Sequence, residues 1–129
     1  MPDPVISLLR ELVAIDSVNP SLVPGAVGEL HIAEAIAAHM RGIGLDVHLQ
    51  DAVPGRPNVV GVLEGPEHGR SVMLCGHTDT VGVAGMAAPF DPVIRDGRLY
   101  GRGAQDMMLA LWIAVTRLRC NRRACSNAN

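Results

Sequence analysis

Two stretches in the first part of the chain repeat apolar residues with the spacing of amphipathic helices. In the first, whose pattern ends near Asn19-Pro20, the apolar positions recur three and four residues apart at Val5, Leu8, Leu9, Leu12 and Val13. In the second, the buried face is expected to consist of Leu30, Ala33, Ala37 and Met40. Gly42 and Gly44 follow, and glycine commonly ends a helix. The sequence therefore predicts two helices that precede any strand.

Three short runs beyond these helices have the composition of strands, at about residues 46–50, 58–63 and 71–76. Turns that contain proline and glycine separate them. The third run is apolar on both faces, which is typical of a central strand, so Cys75 within it is expected to be buried. The alternation of helices and strands indicates an α/β fold.

A tight hairpin is predicted at residues 93–100, because the Asp96-Gly97 pair tolerates the positive φ angles that a two-residue turn requires. The hairpin would bring the loop that begins at Gly101 beside the end of the run that carries His77. Ligands of open α/β sheets bind outside the carboxyl ends of strands, which is where both segments would lie. The apolar stretch 107–115 predicts a buried helix.

A histidine and an aspartate two residues apart, His77 and Asp79, follow the third strand-like run. Side chains two apart on a strand point to the same face, so the carboxylate can lie beside the imidazole. A metal-binding histidine normally donates its second ring N–H to such a carboxylate or to a carbonyl. On its own, however, a His-x-Asp pair at a strand end more often makes an ordinary polar contact in a loop.

A further carboxylate, Asp106, follows the segment Gly101-Arg102-Gly103 and comes just before the apolar stretch. Glycine-rich backbone turns sharply, so it could deliver this carboxylate as a second metal ligand. Aspartate is also a common helix cap, and that is the more frequent role at such a position. The residues alone leave both alternatives open.

Taken together and in this order, the two segments resemble the zinc-dependent amidohydrolase family that includes acetylornithine deacetylase, succinyl-diaminopimelate desuccinylase, aminoacylase and carboxypeptidase G. The resemblance extends from about Val5 to Arg119. Weaker matches at residues 12–20 and 89–103 support it.

This resemblance implies roles for three residues: His77 as a zinc ligand, Asp79 as the catalytic aspartate that orients it, and Asp106 as a metal-bridging ligand. It implies an incomplete, N-terminal part of a zinc-peptidase-like catalytic domain, which is α/β with a mixed sheet flanked by helices. Zinc is the expected cofactor, and cobalt or manganese would also suit nitrogen and oxygen ligands. The expected partner is a small N-acyl amino acid or peptide whose amide bond is hydrolysed.

The chain departs from the family's pattern after Asp106. The family usually continues with methionine, lysine and glycines, whereas this chain continues with Met107-Met108-Leu109. The family's general base and another zinc ligand are an adjacent pair of glutamates further along, but the last glutamate here is Glu67. Since catalytic zinc typically has three protein ligands, we expect a truncated member with weak or absent activity. The alternative is a catalytically inactive remnant that at most binds metal or self-associates through exposed apolar surface.

Other residues add no second site. Cys120 and Cys125 lack the spacing of a zinc ribbon, and no phosphate-binding loop is present. The remaining histidines are expected to be solvated or structural: His31, His39, His48 and His68.

Length and composition, 129 residues of which 48% are hydrophobic, indicate one globular unit. We assign residues 1–119 to the N-terminal part of the catalytic domain. Residues 120–129 are interpreted as an unrelated, disordered tail, under the hypothesis that the reading frame is broken near residues 107–119. A fold that lacks part of its domain is expected to be marginally stable or to self-associate.

The formal net charge of −2 argues against a nucleic-acid or anionic-membrane surface. No apolar run reaches the roughly 18 residues that a membrane span requires, and no secretion signal is recognisable. Three cysteines, an odd number, fit a reducing compartment, so a cytoplasmic location is expected.

Overall fold

The computed structural model describes residues 3–65 and 69–108, and its first element is helix α1, Pro4–Val13. Asp3 caps this helix by accepting a hydrogen bond from the Val5 N–H at 2.8 Å. The predicted helix is confirmed, but it ends at Val13 rather than near Asn19. The reason is local: the side chain of Asp16 accepts from the Val18 N–H, and such a bond favours a turn over a helix.

Helix α2, Leu30–Gly42, follows a loop and ends where the glycines predicted it would, with Gly44 at a φ of 85°. Its buried side chains are Ile32, Ala33, Ile36 and Ala37. Leu30, which the sequence assigned to the buried face, is 38% exposed, so that assignment was wrong. The buried face of the helix is rotated toward Ile32 and Ile36, which belong to the core.

Strands β1, Asp46–Val53, and β2, Arg56–Val62, form an antiparallel hairpin that packs against α2. Their register pairs Asp46 with Val62 and has an irregularity between Asp51 and Val53. The first two predicted strands are thereby confirmed.

The loop between the helices is tied to this hairpin by a partly buried ion pair. Arg56 donates from Nε to Glu29 Oε2 at 2.7 Å and also contacts Oε1, so the two side chains meet through two parallel hydrogen bonds. The same guanidinium donates to Ser21 Oγ at 3.0 Å. The loop that carries Asn19 is therefore held at Ser21 and at Glu29, its C-terminal end.

The predicted Asp-Gly hairpin is confirmed as strands β3, Val93–Arg95, and β4, Arg98–Tyr100. Asp96 and Gly97 have φ angles of 52° and 72°, as a two-residue turn requires. The sheets are thus two antiparallel pairs, and parallel pairing within residues 3–65 and 69–108 is limited to a bridge between Val18 and Thr80. The α/β class is confirmed, whereas these residues do not join into the single mixed sheet that was expected.

The third predicted strand, residues 71–76, is wrong for this structure: the segment has no strand and its side chains are exposed. Cys75, expected to be buried, is an exposed free thiol. A strand that is apolar on both faces needs neighbours at its edges and layers on both sides. In the described part of the chain, no strand pairs with this segment.

The apolar core lies between α1 and α2 and reaches the end of the described chain. Its buried members are Leu8, Leu9, Leu12, Val13, Ile32, Ile36 and Met108. Leu99 and Ala104 pack against this cluster, so the segment around Asp106 is anchored on the helices. No helix in the described ranges has the length and apolar character to cross a membrane. The predicted helix beyond Met108, the tail, His68, Cys120 and Cys125 lie outside the described residues.

Candidate metal centre

The segment that carries His77 and Asp79 is held at Thr80 by two backbone hydrogen bonds. The Thr80 N–H donates to the Ser17 carbonyl and the Asn19 N–H donates to the Thr80 carbonyl, each at 2.9 Å. Thr80 itself is buried. The position of the histidine is therefore tied to the loop that follows α1, although the run before it is exposed.

The segment that carries Asp106 is fixed by close backbone packing. Gly103 has a φ of +80°, and a Cβ at this position would lie 3.0 Å from Thr80 Cγ2. The Arg102 N–H donates to the Pro89 carbonyl at 2.7 Å, which joins the segment to the loop before β3. Gly101 packs closely against Val13, and Gly103 packs closely against Thr80. These two contacts, which leave no room for a Cβ, bring the segment next to His77.

The three residues predicted from the sequence meet around the imidazole of His77. Its Nδ1 lies 3.1 Å from Asp79 Oδ1 and 3.0 Å from the Asp79 backbone oxygen. Its Nε2 lies 3.3 Å from Oδ1 of Asp106, a side chain that is 87% exposed. Asp79 therefore contacts the imidazole at Nδ1, while Asp106 faces Nε2.

Electrostatics favour the protonated form of this histidine. Partial burial lowers the pKa of His77, but the hydrogen bond with the Asp79 carbonyl and the charges of Asp79 and Asp106 outweigh it. The net effect raises the pKa of His77 above its ordinary value of 6.5. The site therefore attracts positive charge, which a proton or a metal ion can supply.

These residues line one cavity of about 540 Å³. His77 and residues 79–81 form one side, and residues 101–106 form the other. The three other histidines in the described part of the chain do not line it, and each lies near a carboxylate of its own: His31 with Glu34, His39 with Glu11 and His48 with Asp46. The prediction that those histidines are solvated or structural is consistent with these positions.

The donor set fits a metal ion such as zinc. Imidazole nitrogen and carboxylate oxygen are both zinc ligands, and bonds of about 2.0–2.1 Å place two tetrahedral donors about 3.3–3.4 Å apart. The Nε2 to Oδ1 separation of 3.3 Å matches that spacing. In residues 3–65 and 69–108, however, no group of three or more His, Cys, Asp or Glu side chains could hold a metal ion. The roles of His77, Asp79 and Asp106 thus stay predictions, with two candidate ligands present.

An aspartate that caps a helix accepts from the backbone N–H two or three residues later, here that of Met108 or of residue 109. The Met108 N–H instead donates to the Gly103 carbonyl at 3.3 Å, and residue 109 lies outside the described residues. The carboxylate of Asp106 contacts His77 in this structure.

One residue of the site was missed by sequence reasoning. The amide of Asn19 donates from Nδ2 to Asp79 Oδ2 at 2.8 Å, across 60 residues of sequence. Asn19 lies in one of the segments that support the family resemblance, which was the available signal. A contact this distant in sequence has no local pattern that could reveal it.

Comparison with known proteins agrees with the resemblance. The sequence pattern described as Peptidase family M20/M25/M40 matches residues 73–127, which includes much of the predicted tail, so the boundary at residue 119 stays a prediction. The chain is 34% identical to succinyl-diaminopimelate desuccinylase of Leptothrix cholodnii over 84% of its length. It is 33% identical to acetylornithine deacetylase of Photorhabdus laumondii over 81%. In both cases it spans only 28% of the relative.

A solved structure shares this fold. Human carnosine dipeptidase 1 superposes with a TM-score of 0.72 and 27% sequence identity, covering 92% of this chain and 28% of the dipeptidase chain.

We predict that Gly103→Ala destabilises the chain by about 1–3 kcal/mol more than Gly85→Ala, because the added methyl group crowds Thr80. Gly85 is a matched control, since its φ of +81° is nearly the same but a Cβ there meets nothing within 4 Å. Urea denaturation of both variants measures the difference. Equal losses would show that the close approach at Gly103 does not hold the segment.

Proposed function

We propose that this chain, which belongs to Peptidase family M20/M25/M40, carries one side of the metal site of a metal-dependent amide hydrolase. The observation that supports the proposal most is the His77 imidazole placed between two carboxylates, with Nε2 facing Asp106 across 3.3 Å. His77 and Asp106 would be the ligands, and Asp79 would orient the ring.

Zinc is the metal we propose, with cobalt or manganese as substitutes for the same donor types. The chemistry that such an ion supplies when bound is a more acidic water and a polarised amide carbonyl. The residues of this chain contribute the charge that attracts the ion and the fixed ring that binds it. Asp79 and Asp106 are the carboxylates that line the cavity, and both already contact His77.

The proposed substrate class is an N-acyl amino acid or a small peptide. The names of the matched relatives describe a desuccinylase, a deacetylase and a dipeptidase, which all act on amides of amino acids. With the residues in this chain alone, we expect metal binding without appreciable amide hydrolysis, because no further carboxylate lines the described cavity as a general base. A cytoplasmic location is proposed too, and it is supported by the exposed free thiol of Cys75.

We predict that His77→Ala lowers the zinc affinity by about tenfold to a hundredfold, because it removes the nitrogen ligand. Calorimetry of zinc binding to the purified chain measures this. The matched control is His48→Ala, since His48 also lies two residues from an aspartate, Asp46, at 3.2 Å. Unchanged binding in His77→Ala, or an equal loss in His48→Ala, would overturn the proposed site.

Zinc affinity is expected to rise with pH through and above the ordinary histidine pKa of about 6.5, because only the neutral imidazole binds metal. The carboxylates raise the pKa of His77, so protons compete with zinc up to a higher pH than at an isolated histidine. In the metal-free chain, the charged ring stabilises the fold below this range, and that contribution is lost as pH rises through the raised pKa. Zinc titrations from about pH 5.5 to 8.5 test this. Affinity that does not change with pH would contradict the assignment of His77.

Self-association is a second proposed property, supported by the exposed apolar segment at residues 71–76. Val72 is 82% exposed and Met73 is 88% exposed, in a run of strand-forming residues. Exposed apolar segments that have no strand partner in the described part of the chain can pair with the same segment of another molecule. The occupant we propose is therefore a second copy of this chain.

We predict that Met73→Glu shifts the chain toward monomer in sedimentation velocity experiments, because a charge interrupts the apolar run. Met86→Glu is the control, since Met86 is exposed outside this segment. A wild-type chain that is monomeric at all concentrations would refute self-association, and an equal effect of both substitutions would show that the segment is not its cause.

A further inference from the structure

Each carboxylate oxygen of Asp79 contacts a different partner. Oδ1 lies 3.1 Å from His77 Nδ1, and Oδ2 accepts a hydrogen bond from Asn19 Nδ2 at 2.8 Å. A carboxylate held at one oxygen alone can still rotate about its Cα–Cβ and Cβ–Cγ bonds. Contacts at both oxygens restrict both rotations and so fix the direction from which Oδ1 approaches the imidazole.

The backbone and the side chain of Asn19 are themselves held by hydrogen bonds. Its backbone N–H donates to the Thr80 carbonyl at 2.9 Å, and its Oδ1 accepts from the Ser21 N–H at 2.8 Å. Its backbone carbonyl accepts from the N–H groups of Leu22 and Val23. Because an N–H donor faces Oδ1 and a carboxylate faces the other end, the amide can have only the orientation that points Nδ2 at Asp79.

The loop around Asn19 is anchored by contacts other than the one between Asn19 and Asp79. Glu29 is buried against Arg56 of β2, and Arg56 also reaches Ser21, two residues beyond Asn19. The Val18–Thr80 bridge joins the other side of the loop to the site segment. The Asn19 amide is therefore a rigid donor rather than a mobile surface group.

We infer that Asn19 is a positioning residue, which fixes the Asp79 carboxylate and through it the ring of His77 in the orientation that leaves Nε2 facing Asp106. This inference rests on the proposed function insofar as His77 is a metal ligand. It adds a third layer to the site: Asn19 holds Asp79, Asp79 holds His77, and His77 would hold the metal.

A polarity swap separates this role from simple support of the loop. Asn19→Asp keeps the Oδ1 acceptor for the Ser21 N–H but replaces the donor toward Asp79 with a second carboxylate. The double variant Asn19→Asp with Asp79→Asn restores a donor and an acceptor in reversed order, and the new amide oxygen can still accept from His77. Asn58→Asp, an exposed asparagine on β2, controls for the added charge.

The first measurement is the side-chain conformation of Asp79 in the metal-free chain, from NMR couplings across its Cα–Cβ bond. We expect one rotamer in the wild type and in Asn58→Asp, and rotamer averaging in Asn19→Asp. The second measurement is zinc affinity, which we expect to fall about tenfold or more in Asn19→Asp and to recover most of that loss in the double variant. In Asn58→Asp it should stay within about twofold.

Three results would overturn the inference: an averaged Asp79 side chain in the folded wild type, a single unchanged rotamer in Asn19→Asp, or a double variant that binds zinc no better than Asn19→Asp. If Asn19→Asp does not fold, the wild-type couplings and the double variant decide the question. If the wild type does not bind zinc, the proposed function fails, and the metal-free couplings still decide the role of Asn19.

Discussion

The structure of the site depends on two backbone hydrogen bonds that join Thr80 to Ser17 and Asn19. They tie a segment whose preceding residues are exposed to a loop that is anchored on the helices and on β2. Gly103 then packs against Thr80, so the second site segment is positioned by the same residue. Backbone bonds in a buried setting are costly to break without replacement, which makes this junction the constraint that places a histidine between two aspartates.

The fold was predictable where the signal is local and was not where it depends on distant partners. The apolar spacing predicted both helices, and the Asp96-Gly97 pair predicted the hairpin. Both signals come from residues that are close together in the sequence. The end of α1 was predicted too late, since the side chain of Asp16 competes for backbone donors. The run at 71–76 has strand composition, but strand formation also requires neighbours, which the described residues do not provide.

The candidate site was predictable as a set of residues but not as a geometry. The spacing of His77 and Asp79 allowed the carboxylate to lie beside the ring, and the family resemblance implied that it orients the ring. The structure places the carboxylate at Nδ1. The approach of Asp106 to Nε2 depends on the packing of Gly101 against Val13 and of Gly103 against Thr80, which are contacts between segments distant in sequence. Asn19 was missed for the same reason, because the contact of its amide with Asp79 forms only when the loop folds back onto Thr80.

The central claim is that the imidazole between these carboxylates is one side of a metal site. The most direct measurement is zinc K-edge X-ray absorption of the chain loaded with one equivalent of zinc. The account predicts a first shell of one imidazole nitrogen with oxygen neighbours, all at about 2.0–2.2 Å. A shell of sulfur at about 2.3 Å without imidazole nitrogen, or one that has only oxygen, would contradict it, because the metal would then be bound without His77.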